Sequence, residues 1–135
     1  MSNVTGGCLC GGVRYTLKDE PARRGVCHCR DCQRFTGSAF MPLMFFPKAS
    51  VDLKGELKSF TTEGSSGHKV HRHFCSNCGS SVAIEAEHGA GRMLVAVGTL
   101  DDPSGFVPDV EIFCDFAQPW VNERADRKRF PRARV

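Results

Sequence analysis

Phe74-Cys75-Ser76-Asn77-Cys78-Gly79 is the stretch from which the fold can be read. Two residues between thiols let one tight turn present both sulfurs to a single ion. Gly79 tolerates the positive φ that ends such a turn. A lone Cys-x-x-Cys is equally the form of a redox couple. What weighs the reading toward metal is a second pair, Cys8-Leu9-Cys10, framed by Gly6-Gly7 and Gly11-Gly12. Residues two apart on an extended chain point to the same side, and a glycine-framed turn can also bend close to an ion. Together the four sulfurs complete a closed tetrahedral site of the structural-zinc type. Cys75 follows Cys10 by 65 residues, so the site would staple the first hairpin to a late one. The plainer alternative is a set of buried thiols.

A third motif, Cys27-His28-Cys29-Arg30-Asp31-Cys32, lies between these pairs. Cys29 and Cys32 are three apart and share one face of a short helix. Cys27 enters just before it, so all three can converge at the helix start, where backbone N–H groups favour thiolate. Three protein ligands with one vacant position is the pattern of a catalytic zinc. If Cys114 or His28 fills the fourth place, the site is closed. Cys114, within Glu111-Ile112-Phe113-Cys114-Asp115-Phe116, reads instead as a packed strand residue. His68, His71 and His73 read as an exposed strand face. Should His71 or His73 face the open site, imidazole would serve as a proton carrier near neutral pH.

Working outward, the chain has 135 residues and 8 cysteines. This length fits one domain with a core that needs no disulfides. An apolar fraction of 41% and a charged fraction of 24% are those of a globular protein. The longest apolar run, Phe40 to Phe46, is broken by Pro42 and is far short of a membrane span. The start, Met1 to Thr5, has neither the basic nor the apolar segment of a secretory signal. A reducing cytoplasm is the expected compartment, and clustered thiols there more often mean metal or catalysis than disulfides.

Val13, Tyr15 and Leu17 alternate with polar residues as a half-buried strand does. Further strands are predicted over Phe40–Phe46, Leu57–Thr61, Val70–Cys75, Ser81–Glu85, Met93–Thr99 and Val110–Phe116. One short helix is predicted over Arg30–Phe35, with Gly37 placed to stop it. The expected class is mostly β, a single domain over 1–135 with its core at about 5–120. Residues 123–135 carry six basic and two acidic side chains. This tail, with Arg124, Arg127, Lys128, Arg129, Arg132 and Arg134, is expected to be a solvated segment. With Phe130 as its one ring it lacks the aromatic interleaving of a nucleic-acid binder.

Gly7-Cys8-Leu9-Cys10-Gly11-Gly12-Val13-Arg14-Tyr15, Cys27-His28-Cys29-Arg30-Asp31-Cys32-Gln33-Arg34-Phe35-Thr36-Gly37, Phe74-Cys75-Ser76-Asn77-Cys78-Gly79 and Gly98-Thr99-Leu100-Asp101-Asp102 occur in this order. Together they resemble the glutathione-dependent formaldehyde-activating enzyme family, also called the centromere protein V-like domain, over about residue 5 to Trp120. The resemblance implies a zinc-bearing β-tent, or Mss4-like, fold. It implies a structural zinc on Cys8, Cys10, Cys75 and Cys78, and a catalytic zinc on Cys27, Cys29 and Cys32. It also implies condensation of glutathione with formaldehyde to S-hydroxymethylglutathione, a carbon–sulfur lyase activity. Where the family pattern reads like His-Ile-Phe-Val-Asp-Ser-Lys-Ala-Pro-Trp, this chain has Glu111 in place of the histidine and Gln118 in place of the lysine. If that segment borders the site, an anionic peptide such as glutathione fits less well.

The expected chemistry is attack of a zinc-activated thiolate on formaldehyde or another small carbonyl compound. Arg30 and Arg34 are candidates for balancing charge or holding a substrate carboxylate, and Asp31 or His28 for relaying the hydroxyl proton. Two rival expectations remain at this level. One is a non-catalytic zinc module that uses the basic tail for nucleic acid or protein. The other is a redox protein cycling Cys27, Cys29, Cys32 and Cys114 through disulfides.

Overall fold

The computed structural model describes residues 3–64, 67–87, 91–122 and 127–132. Its strands are β1 (Val4–Gly7), β2 (Arg14–Leu17), β3 (Arg23–Cys27), β4 (Met41–Pro47), β5 (Val51–Lys54), β6 (Leu57–Glu63), β7 (Lys69–Cys75), β8 (Ser81–Ala86), β9 (Arg92–Ala96), β10 (Val110–Ile112) and β11 (Lys128–Arg129). One α-helix, α1 (Arg30–Thr36), connects β3 to β4. The mostly β expectation with one short helix holds. A small sheet has the order β1-β2-β5 and a large one the order β11-β10-β3-β4-β9-β8-β7-β6. Pairing is antiparallel except for β10 with β3 and β11 with β10.

The unbroken apolar run at Phe40–Phe46 has a physical reason. β4 is buried on both faces, so it need not alternate. Met44 and Phe46 face one core, with Tyr15 and Leu17 of the small sheet and Met93 and Val95 of β9. Met41 and Leu43 face the other, with Cys27, Cys32, Ile84 and Ala96, and Phe35 of α1 packs against it. The large sheet is therefore a middle layer, with the small sheet over one face and α1 over the other.

α1 ends where expected. Gly37 takes φ 67° and its N–H donates to the Gln33 carbonyl at 2.8 Å. An L-residue pays in that conformation and glycine does not.

Several expectations need correction. The strand beginning near Met93 ends at Ala96, and Val97–Thr99 is a 3₁₀ turn. The strand predicted over Val110–Phe116 ends at Ile112. Phe113 then turns the chain with φ 56°, and Cys114–Phe116 is a second 3₁₀ turn. Cys114 is thus not a strand residue. The basic tail is not wholly solvated, because Lys128 and Arg129 form β11 on the sheet edge. Arg124 and Arg134 lie outside the described residues. The short strands β1, β3, β5 and β11 had no clear alternation to announce them.

Candidate functional site

Sulfur geometry tests the first expectation. Tetrahedral zinc with Zn–S near 2.3 Å requires S···S separations of about 3.8 Å. Cys8 Sγ lies 3.6 Å from Cys10 Sγ, and Cys10 Sγ lies 3.8 Å from Cys75 Sγ. All four sulfurs of Cys8, Cys10, Cys75 and Cys78 fall within 4.8 Å of one another. The surroundings favour thiolates. Val13 N–H donates to Cys8 Sγ at 3.2 Å and Gly12 N–H to Cys10 Sγ at 3.4 Å. Asn77 and Cys78 N–H groups point at Cys75 Sγ from 3.4 and 3.5 Å. The Ser80 hydroxyl beside Cys78 lowers that thiol to about 5. Gly79 closes the knuckle with φ 75°. The donor set fits zinc.

The second group forms on the opposite face of the large sheet. Cys27 ends β3, Cys29 caps α1, and Cys32 follows one turn later. Their three sulfurs lie within 4.8 Å of one another. Cys29 Sγ accepts the Cys32 N–H at 3.2 Å, which is the N-cap bond of the helix. Hydrogen bonding from Cys27, then from Cys32, pulls the Cys29 thiol far below its ordinary range, against the burial that opposes it. The same contacts push Cys27 upward, so the first proton leaves from Cys29. Arg72 also favours the Cys29 thiolate. This donor set also suits zinc.

No fourth protein ligand joins these three among the described residues. Alternation along the chain sends Cys27 and Cys29 one way and His28 the other. His28 Nε2–H donates to Glu111 Oε1 at 2.7 Å, and the two residues are 1% and 3% exposed. Cys114 groups with them, not with the trio. The His28–Glu111–Cys114 group is a poor cation site. Arg127 and Arg129 stand 3.8 and 3.7 Å from Glu111 Oε2 and already supply its positive charge.

Glu111 and Gln118 both border the trio's supporting loop. Gln33, 5% exposed, is the residue that joins them and was not anticipated. Its Nε2 donates to the carbonyls of His28 at 2.7 Å and Phe116 at 3.1 Å. Its Oε1 accepts from Gln118 Nε2 at 2.9 Å and from the Arg30 guanidinium. A polar residue on the inner face of a cysteine-bearing helix was the available signal. Arg30 and Arg34 are both exposed, but Arg30 is tied back to the helix through Gln33. Asp31 is 62% exposed and loosely opposes Arg72 at 3.8 Å.

His71 and His73 face away from the trio. They pair with Glu85 and Ala83, and Ala83 belongs to the core under the small sheet. His71 bonds to Thr61 and Glu87, and His73 to Ser59 and Glu85. The proton-carrier role for either is therefore dropped. Arg72, between them in sequence, points to the α1 side with Ile84.

The motifs and their placement define a cysteine-rich, potentially metal-binding β protein. A family model described as glutathione-dependent formaldehyde-activating enzyme matches residues 3–116. The chain belongs to that family. Among solved structures it is similar to the crystal structure of a Rhodobacter sphaeroides protein determined as a structural-genomics target. That match has 20% identity and a TM-score of 0.56, and covers 72% of this chain and 87% of that one. At this identity the likeness speaks to fold alone. Among the described residues no helix is long and apolar enough to cross a membrane.

Proposed function

We propose that the protein is a zinc-dependent enzyme of the carbon–sulfur lyase type, acting on a glutathione-like thiol and a small carbonyl compound such as formaldehyde. The fold would be the β-tent, or Mss4-like, type, working in the cytoplasm with two zinc ions per chain. Cys8, Cys10, Cys75 and Cys78 would hold the structural ion, and Cys27, Cys29 and Cys32 the catalytic one. The observation that carries the reading is the three-sulfur group, with the imidazole of the adjacent His28 turned away onto Glu111.

A zinc ion at that group supplies Lewis acidity, keeping a substrate thiol ionised near neutral pH. The chain's residues do the rest. Cys29 holds the first negative charge, and the helix N-terminus and Arg72 stabilise it. The substrate thiolate adds to the carbonyl carbon, forming a carbon–sulfur bond, and the new alkoxide takes up a proton. In reverse, that proton leaves and the carbon–sulfur bond breaks to return thiol and aldehyde. Asp31, exposed at the start of α1, is the carboxylate proposed to relay that proton, a role its exposure supports. His28 is enclosed and committed to Glu111, which makes it a positioning residue for the Cys27–Cys29 loop.

Replacing zinc with cobalt tests this. Thiols that enter the open site should shift the cobalt absorption bands, and thiol with formaldehyde should yield the hydroxymethyl thioether. Bands indifferent to a broad thiol panel would sink the proposal. The tail-dependent binding module gains no support, since Arg127 and Arg129 approach the buried Glu111.

A further inference from the structure

A cleft of about 410 Å³ opens between α1 and the β6–β7 hairpin. Its size is that of a small-molecule site. Phe35, Phe60 and Phe74 form its apolar walls, and Asp31, Arg34 and Arg72 are its charged groups. Phe35 also packs on the core that contains Cys27 and Cys32, so the cleft adjoins the three-cysteine group. Phe60 is 64% exposed on the sheet's edge strand, an apolar ring with nothing over it among the described residues.

Arg72 is the unusual member. It is 8% exposed, and its Nη1 is fixed by donating to Thr62 Oγ1 at 2.8 Å. Its Nε is buried with no hydrogen-bond partner. Among the described residues its Nη2 makes one ion pair, with Asp31 Oδ2 at 3.8 Å, beyond hydrogen-bond reach. The Nε/Nη2 edge is the fork with which a guanidinium grips a carboxylate by two parallel bonds. A buried cation with an idle fork is costly unless an acceptor arrives. Asp31, itself 62% exposed, shows the chemistry that edge attracts while being too far away to satisfy it. Arg34 has no ion-pair partner among the described residues and stands at the same cleft.

We infer that this cleft receives the body of the substrate, and that Arg72, with Arg34 at the rim, selects thiols that carry a carboxylate. The inference rests on the thiol-addition reading and adds what the thiol must look like. It also assigns Glu111 and Gln118 no part in recognition, because neither lines the cleft: Glu111 is engaged by His28 and Gln118 by Gln33. Substitution at those two positions therefore does not disqualify an anionic peptide.

The test uses cobalt-substituted protein titrated with glutathione and with glutathione diethyl ester, which has the same thiol but no free carboxylates. Wild type should bind the acid more tightly, by roughly tenfold or more for a charge-assisted pair. Arg72→Lys keeps the charge but loses the fork. Arg34→Ala changes an exposed residue and does not threaten folding. Each should weaken glutathione several-fold and leave the ester within about twofold. Asp31→Asn removes the competitor and should tighten glutathione. Equal weakening of acid and ester by Arg72→Lys would make Arg72 a mere counter-ion and overturn the inference. So would equal affinity of wild type for both thiols. Bands that respond to neither thiol would instead refute the parent reading, and this inference with it.

Discussion

Replacing Cys75 with serine should cost far more stability than replacing Cys29, although each removes one sulfur from a metal-type group. The difference lies in what each group ties together. Cys10 and Cys75 are 65 residues apart. Cross-linking a loop of that length removes chain entropy worth about 4 kcal/mol from the unfolded state. Cys27 to Cys32 closes a local turn already held by α1, and the same model gives at most about 2 kcal/mol. Serine at position 29 also keeps the helix cap, since its oxygen can accept the Cys32 N–H that Cys29 Sγ now takes. For a chain of this size each kcal/mol moves Tm by roughly 3–5 °C. The expected falls are thus about 12–20 °C for Cys75→Ser and well under 10 °C for Cys29→Ser. Thermal melts followed by circular dichroism, with zinc counted in the same samples, measure both. Cys75→Ser should carry one zinc and melt early. Cys29→Ser should lose the other zinc and melt near wild type. Equal shifts, or a larger shift for Cys29→Ser, would show that the long-range group does not staple the fold.

Three further outcomes are expected. Tyr15, the sole tyrosine, is pushed up to about 12 by burial, despite its 2.7 Å bond to Thr99 Oγ1. Its folded value is raised, so its contribution is complete below pH 10 and is lost as pH climbs from 10 to 12, an effect of about 2–3 kcal/mol. Phenolate absorbance should rise with unfolding near the upper end of that window, and a midpoint near 10 with the fold intact would refute the burial argument. Glu111→Gln leaves the nearby guanidiniums of Arg127 and Arg129 without their buried counter-charge, and should cost about 3 kcal/mol in urea unfolding; a neutral result would mean that these ion pairs carry no stability. Gly37→Ala meets no neighbouring atom, so only its φ of 67° is penalised, and about 1 kcal/mol should be lost without change in zinc content.

The parts of this molecule that the sequence made legible are those where chemistry forces a local pattern. The grouping of Cys8, Cys10, Cys75 and Cys78 was readable because thiols that could share an ion come in close pairs along the chain. α1 was readable because Gly37 marks its end. Arg72 was not readable. It sits in His71-Arg72-His73, whose alternating charge suggests a solvated face, and only the pairing of Arg72 with Ile84 reveals that it turns inward. Strand pairing across the sheet decides which side a residue faces, and no local pattern near Arg72 announces it. The break at Phe113 was hidden for a similar reason. Its positive φ is held by the N–H bond to the Arg132 carbonyl at 3.1 Å, a contact from the far end of the chain. The basic tail was misread because its composition is that of a solvated segment, while Glu111 offers two of its arginines a buried carboxylate.

An open three-sulfur site is unstable against closure, since any imidazole, thiol or carboxylate within reach would complete it. The structure prevents this by placing rival donors across the sheet. Cys27 shares its side with Ile112, Met41 and Leu43, an apolar surround that offers no ligand. Glu111, one residue back along β10, pairs with Val26 and so faces the other way. There it engages His28, the one imidazole built into the motif, and Cys114 joins that same pocket of charge. The four-sulfur group likewise lies on the far face, within the core under the small sheet. A single alternation of two residues thus separates His28 and Glu111 from the three sulfurs. Moving the register of β10 by one residue would swing Glu111 toward the three sulfurs and close the site. On the open side the charged groups of the cleft are Asp31, Arg34 and Arg72, and among them Arg72 alone is buried.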